Sequence, residues 1–220
     1  MSTRDHRAPS SRTGGATPGR PASGLFAWLA RAAFLLKEPN SGSSWGAPAK
    51  LIHWLVAVLV FTQFGLGWLA TGWRLSPAKL DLFVWHKSLG MVILALVLVR
   101  LLWRWANPTP ELPADMPAWE RAAARVSHAL LYVTMITMPI TGWIHNSAAG
   151  VPFSIFWRVP LPALVTPDER AAELAALGHF WLFVVFAVLL VLHIGAALRH
   201  HFVAGNHLLT RMLPARRTLK

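Results

Sequence analysis

The sequence predicts an all-α protein, an integral membrane four-helix bundle with both termini cytoplasmic. Three observations lead there. Apolar residues make up 55% of the 220-residue chain while only 14% are charged, against about a quarter charged in soluble domains. The apolar residues gather into runs long enough to cross a bilayer. The basic residues collect on alternate connecting segments. Mean hydropathy is +0.44.

The elements follow in chain order. Residues 1–24, rich in Ser, Arg, Gly and Pro, hold too few large apolar groups to offset the entropy of ordering, and are expected to be disordered. No apolar stretch with a small-residue cleavage site follows them directly, so they make a poor signal peptide. Residues 25–37 are apolar but too short to span, and a short interfacial helix is expected there. Residues 1–44 are thus an N-terminal extension, and 45–216 the membrane domain. Within that domain the apolar runs cover about 51–71, 85–105, 127–145 and 177–199. Each approaches the roughly 20 residues a helix needs to cross the hydrocarbon. Helix is the structure that satisfies its own backbone groups in lipid. Pro139 is expected to kink the third helix without ending it. Several of the 12 tryptophans, Trp54, Trp85, Trp105 and Trp143 among them, fall at run ends, where interfacial aromatics belong.

Of the 21 lysines and arginines, only Arg74, Lys79, Lys87, Arg158 and Arg170 fall on the side away from the N-terminus. The positive-inside bias places both termini in the cytoplasm, 106–118 as an inner loop and 146–176 as the longest outer segment. A net charge of +12 invites a nucleic-acid reading. The cations flank apolar runs instead of forming a stripe with stacking aromatics, so no nucleic-acid partner is expected. Membrane lipid is. Cysteine is absent, which excludes disulfides, iron–sulfur clusters, thiolate-ligated haem and covalent haem attachment.

Ten histidines are present, and imidazole is a rare guest in hydrocarbon. His53 lies at the inner end of the first helix and His86 at the outer end of the second. On the fourth, His179 is near the outer end and His193 comes 14 residues later. Those two share a helix face and stand about 21 Å apart along the axis. Matching depths pair His86 with His179 and His53 with His193. Each pair offers two imidazoles from different helices, which is what a low-spin haem needs on its two faces. Two haem b per chain are therefore expected, with these four as axial ligands. Gly90, Gly178 and Gly195 flank the ligands, where a flat porphyrin could pack closely. His128 could replace His53, bond a quinone carbonyl or a haem propionate, or be a plain interfacial residue; His145 competes similarly at the outer end. Arg100 either pairs with a propionate or snorkels to the interface. Lys87 and Arg74 could neutralise propionates or attract an anion near the outer haem. His200 and His201 are expected near the inner haem edge, and His6 and His207 in solvent.

With these residues placed, the chain resembles the bacterial cytochrome b561 family. The resemblance rests on Leu51-Ile52-His53-Trp54-Leu55, Trp85-His86-Lys87, Arg100-Leu101-Leu102-Trp103-Arg104 and Pro108-Thr109-Pro110. It continues through Ser127-His128 to Tyr132, Pro139 to Gly142, Gly178-His179, His193 to His201 and Leu209 to Pro214. It spans about residues 45–216, and order and spacing carry it more than any one motif. It implies haem b at the positions matching His53, His86, His179 and His193, a bacterial inner-membrane location, electron exchange with ubiquinone and, in some members, superoxide as donor. The chain would then be a quinone-linked oxidoreductase of the superoxide:ubiquinone type. Similar cytochrome subunits anchor hydrogenases and formate dehydrogenases, so an anchor role in a larger dehydrogenase is the alternative. A homodimer or a redox partner protein are the candidate protein contacts. A histidine-based metal transporter is disfavoured, because no Asp or Glu lies within the four runs.

Overall fold

A computed structural model describes residues 40–41, 44–206 and 208–213. The expected N-terminal disorder, the interfacial helix over 25–37, His6 and His207 lie outside the described residues.

Four long helices make up most of the described chain: α1 (Ala47–Gly72), α2 (Pro77–Ala106), α3 (Ala118–Ala148) and α4 (Glu169–Phe202). All four apolar runs lie within them, but the helices begin earlier than the runs do. α2 starts at Pro77, with the Ser76 hydroxyl accepting the Lys79 N–H at 3.3 Å. α4 starts behind Asp168, whose carboxylate accepts the Ala171 N–H at 2.6 Å. Caps are polar by nature, so the start signals lie outside the hydropathy window that marks a span. α3 runs through Pro139 without interruption.

Three of these helices, α1, α2 and α4, are long and apolar enough to cross a membrane. α3 is more polar, yet three of its threonine hydroxyls are satisfied within the helix. Thr134, Thr137 and Thr141 donate to the carbonyls of Leu130, Val133 and Met138 at 2.9, 2.8 and 2.8 Å. α3 packs most extensively on α4 and α1 on α2, with α2 against α3 joining the two pairs. Outward faces are apolar: Trp68 is 81% exposed, Trp105 87% and Val191 70%. In water such surface would drive association; against acyl chains it is the solvated face.

The core is a plug of Val56, Val60, Ile93, Val97, Leu131 and Phe186, with Phe64 packed edge-on against Phe183 and Phe186 at 5.1 and 5.7 Å. In sequence Phe186 is midway between His179 and His193, so the plug separates the two ends of the bundle.

The connection between α3 and α4 holds an element that the sequence reading did not anticipate. A two-stranded antiparallel hairpin pairs β1 (Phe153–Ile155) with β2 (Val159–Leu161). Its turn places Phe156 and Trp157 at φ 46° and 60°, a conformation usually given to Asn or Gly. Tertiary contacts hold it there. The Phe156 N–H donates to the fully buried Ser88 hydroxyl at 2.8 Å, and Trp85 stacks edge-on against both turn aromatics at 5.4 and 5.8 Å. At the opposite end, side chains tie the connections to the helices. Asn40 bonds the Pro108 carbonyl and the Gly46 N–H. Trp54 donates to the Met212 carbonyl at 2.8 Å, and Arg211 to that of Glu111 at 2.6 Å.

Candidate functional site

Two histidine pairs form, one at each end of the bundle. His86 of α2 and His179 of α4 have ring centroids 6.3 Å apart with planes at 72°. His53 of α1 and His193 of α4 have centroids 6.4 Å apart with planes at 65°. With metal–imidazole bonds of about 2.0 Å and a ring nitrogen ~1.1 Å from its centroid, two trans ligands put their centroids about 6.2 Å apart. Both pairs leave room for one iron. His128 lies 5.3 Å from His193, about 1 Å too close for that arrangement. Of the two candidates at this end, His53 stands at the centroid separation that an iron between two imidazoles requires, and His128 stands closer to His193.

Hydrogen bonding prepares one ring in particular. His179 Nδ1 is 3.1 Å from the Met138 carbonyl and 3.2 Å from the Thr141 hydroxyl. A carbonyl can only accept, so Nδ1 carries the proton and Nε2 keeps its lone pair for a metal. His86 Nδ1 is buried without a partner. Its backbone carbonyl accepts from the Gln63 amide at 2.6 Å, which explains the polar residue inside the first apolar run.

The glycines divide differently from the expectation. A Cβ on Gly90 would come 3.2 Å from Gln63 Nε2, so this glycine makes room for the Gln63 amide. Gly178 and Gly195 face open space, compatible with a flat group. The glycines that meet the rings are Gly67 and Gly142. A Cβ there would stand 3.2 Å from His86 Cε1 and 3.3 Å from His179 Cε1. Their signal is present in the sequence. Gly67 follows His53, and Gly142 follows His128, by the same 14 residues that separate His179 from His193 and His86 from Arg100. Fourteen residues return to nearly the same helix face. Each helix thus offers one position to each end of the bundle.

Two of the charged candidates, Lys87 and Arg100, are anchored. Lys87 Nζ donates to Asn146 Oδ1 at 2.8 Å and lies 5.3 Å from the Phe153 ring centroid, tying α2 to the end of α3 and to the hairpin. Arg100 Nε donates to the Tyr132 hydroxyl at 3.0 Å and Nη1 to the Ala49 carbonyl at 3.4 Å. Arg74 is exposed. His145 Nδ1 is 3.0 Å from the Ala172 carbonyl, clasping α3 to α4. His200 sits with Arg199 around Glu120, at 3.6 and 3.0 Å, a bridge between the start of α3 and the end of α4 that the sequence reading missed.

The donor set suits haem b. It offers two imidazole pairs with centroids 6.3 and 6.4 Å apart, glycines where bulk would collide with the rings, and no cysteine in the chain for a covalent link.

Comparison with known proteins agrees. The sequence pattern of the prokaryotic cytochrome b561 family matches residues 44–215. Cytochrome b561 homolog 2 of Escherichia coli (strain K12) is 35% identical over 181 residues, which is 79% of this chain and 93% of that protein. Cytochrome b561 homolog 1 of the same organism is 27% identical over 170 residues, covering 76% and 94%. A protein named probable superoxide oxidase CybB, from Yersinia pestis, is 28% identical over 169 residues, covering 76% and 93%. All four helices fall inside the matched stretch, and this chain belongs to the prokaryotic cytochrome b561 family, multi-pass bacterial membrane proteins that carry electrons on haem b.

Proposed function

We propose that this protein carries electrons through the bilayer on two haem b groups, between a donor on the outer side and the ubiquinone pool. The observation that carries the reading is the pair of histidine couples, 6.3 and 6.4 Å between ring centroids, on helices that place them about 21 Å apart along α4. His86 and His179 would hold the outer haem, and His53 and His193 the inner one. When bound, each haem supplies a reversible one-electron couple, whose potential the protein tunes through ligands, burial and nearby charge. α3 is the fourth span, both termini face the cytoplasm, and residues 45–216 form the membrane domain behind an N-terminal extension.

The chain's own residues divide the remaining tasks. His179 is held in one tautomer by Met138 and Thr141. Lys87, next to His86, places a positive charge at the outer end, suited to an anionic donor. Similarity to a protein named as a probable superoxide oxidase makes superoxide the donor we favour. Two superoxide ions would each give up one electron and leave as dioxygen, and one quinone would take both electrons with two protons. His128, beside His193, is placed to hydrogen-bond a group at the inner haem.

Haem quantitation on the purified chain, with reduced-minus-oxidised spectra, tests the reading. Two haem b per chain are expected, and His86→Ala or His179→Ala should each remove the same single spectral component. A colourless chain, or loss of both components together from a folded variant, rejects the assignment.

A further inference from the structure

Two arginines at the His53 end have no counter-charge among the described residues. Arg100 and Arg104, one turn apart on α2, are both half-buried. Among the described residues the salt-bridged carboxylate is Glu120, and it is taken by Arg199 and His200. Both arginines line a small pocket whose other walls include Ala49 and Ile52 of α1, Trp103 of α2 and Tyr132 of α3.

The pocket presents donors. Arg100 is oriented by the Tyr132 hydroxyl and the Ala49 carbonyl. Arg104 lies 5.9 Å from the centroid of the Tyr132 ring. The Trp103 indole N–H is buried with no acceptor. The Tyr132 oxygen already accepts from Arg100, so its own hydrogen is left to donate. Guanidinium groups withdrawn from water at a membrane edge call for an anion, and a buried N–H calls for an acceptor. Among the described residues no side chain or carbonyl provides either.

Position identifies the anion. Ala49 precedes His53 by four residues, so it stands on the same face of α1 about 6 Å nearer the helix start. Arg100 follows His86 by 14 residues, which brings α2 to the level of His53 and His193. A haem held between those two histidines carries two propionate carboxylates on one edge. We infer that Arg100, Arg104 and the Trp103 N–H form the cradle for the propionates of the haem at the His53 end. Tyr132 is the positioning residue that sets the plane of the Arg100 guanidinium. Arginine is suited to this because its planar fork pairs two-pronged with a carboxylate. The inference rests on the two-haem reading and is independent of which donor or quinone is used.

Its consequence is electrostatic. Cations on the propionates offset negative charge close to the iron, so removing them favours the ferric form and lowers the midpoint potential of that haem. The test uses the full chain in lipid nanodiscs, with spectroelectrochemical titration of both haems, the components having been assigned from the histidine variants. Arg100→Gln and Arg104→Gln should each lower the midpoint of the His53/His193 component and leave the other unmoved, with Trp103→Phe giving a smaller shift of the same sign. Arg104→Gln and Trp103→Phe leave the Tyr132–Arg100–Ala49 contacts in place, so they serve if Arg100→Gln does not fold. Reconstitution with haem dimethyl ester, which lacks the carboxylates, should abolish the effect of every substitution. An equal shift with esterified haem overturns the inference, as do unmoved midpoints in variants that keep both haems. Release of a co-purified anionic lipid without a change in potential also overturns it, and assigns the pocket to a lipid phosphate. A wild-type chain that binds no haem refutes the two-haem reading and this inference with it.

Discussion

At the His86 end the neighbouring helices withdraw from the histidine pair, whereas at the His53 end they reach into it. α1 and α3 contribute Gly67 and Gly142 to the first, both within 3.3 Å of ring carbons if a Cβ is added. Fourteen residues earlier the same two helices contribute His53 and His128 to the second. α2 contributes His86 to one and Arg100 to the other, while α4 contributes a histidine to both. A repeated helical spacing therefore builds two candidate sites with the same reach between imidazoles, 6.3 and 6.4 Å, in different surroundings. One is lined by absent side chains and roofed by a hairpin. The other is crowded with polar groups. Equal ligand geometry with unequal surroundings is how one chain can hold two like cofactors at unlike potentials.

The largest effect should come from exchanging what α1 and α3 supply at the His53 end. His53→Ala is expected to eliminate one haem per chain, leaving the His86/His179 spectrum intact. His128→Ala should keep both haems and alter only the line shape or potential of one. Pyridine haemochrome assay with low-temperature spectra distinguishes these outcomes. If His128→Ala is the variant that loses a haem, the 5.3 Å pair is the ligating one and the comparison between the ends is wrong.

A smaller effect is expected from filling the glycine positions. Gly67→Ala and Gly142→Ala place a methyl group 3.2 and 3.3 Å from the ring Cε1 atoms of His86 and His179. Overpacking of that kind costs about 1–3 kcal/mol. Haem at the His86 end should dissociate more readily on heating or dilution, with the other end unaffected. Gly65 meets nothing within 4 Å, so Gly65→Ala should be neutral or stabilise the helix by up to ~1 kcal/mol. Equal haem loss from all three variants would mean that the glycines act on helix packing in general and not on the imidazoles.

Much of this was legible before the structure. The runs, their order and the four histidines at two levels follow from hydropathy and helical rise, because a lipid-facing helix must be apolar nearly throughout. That same uniformity hides the helix ends, since Ser76 and Asp168 cap outside the apolar window. It also hides the glycines. Gly90 follows His86 by four residues and makes room for Gln63, whereas Gly67 and Gly142 meet rings on other helices, and proximity along the chain does not reveal contact across a bundle. The 14-residue spacing is the usable signal, and it is present on all four helices, not on α4 alone. The hairpin had no local signal at all. Phe156-Trp157 is a poor turn sequence, and its shape is imposed by Ser88 and Trp85 from a distant helix.

That imposed turn offers the smallest and most local test. Ser88 lies two residues after His86, is fully buried, and accepts the Phe156 N–H at 2.8 Å. Ser88→Ala leaves that N–H without its acceptor beside a turn already in an uncommon backbone region. The expected cost is about 1 kcal/mol, borne by docking of the hairpin and not by the bundle. Hydrogen exchange should rise over residues 153–161 while the helix cores stay protected. If the roof contributes to the His86 end, the haem there should also become more accessible to a soluble reductant, and the His53 end should not change. Faster exchange without any change in haem access would show that the hairpin packs on α2 for its own stability, and would reduce the difference between the two ends to the residues on the four helices.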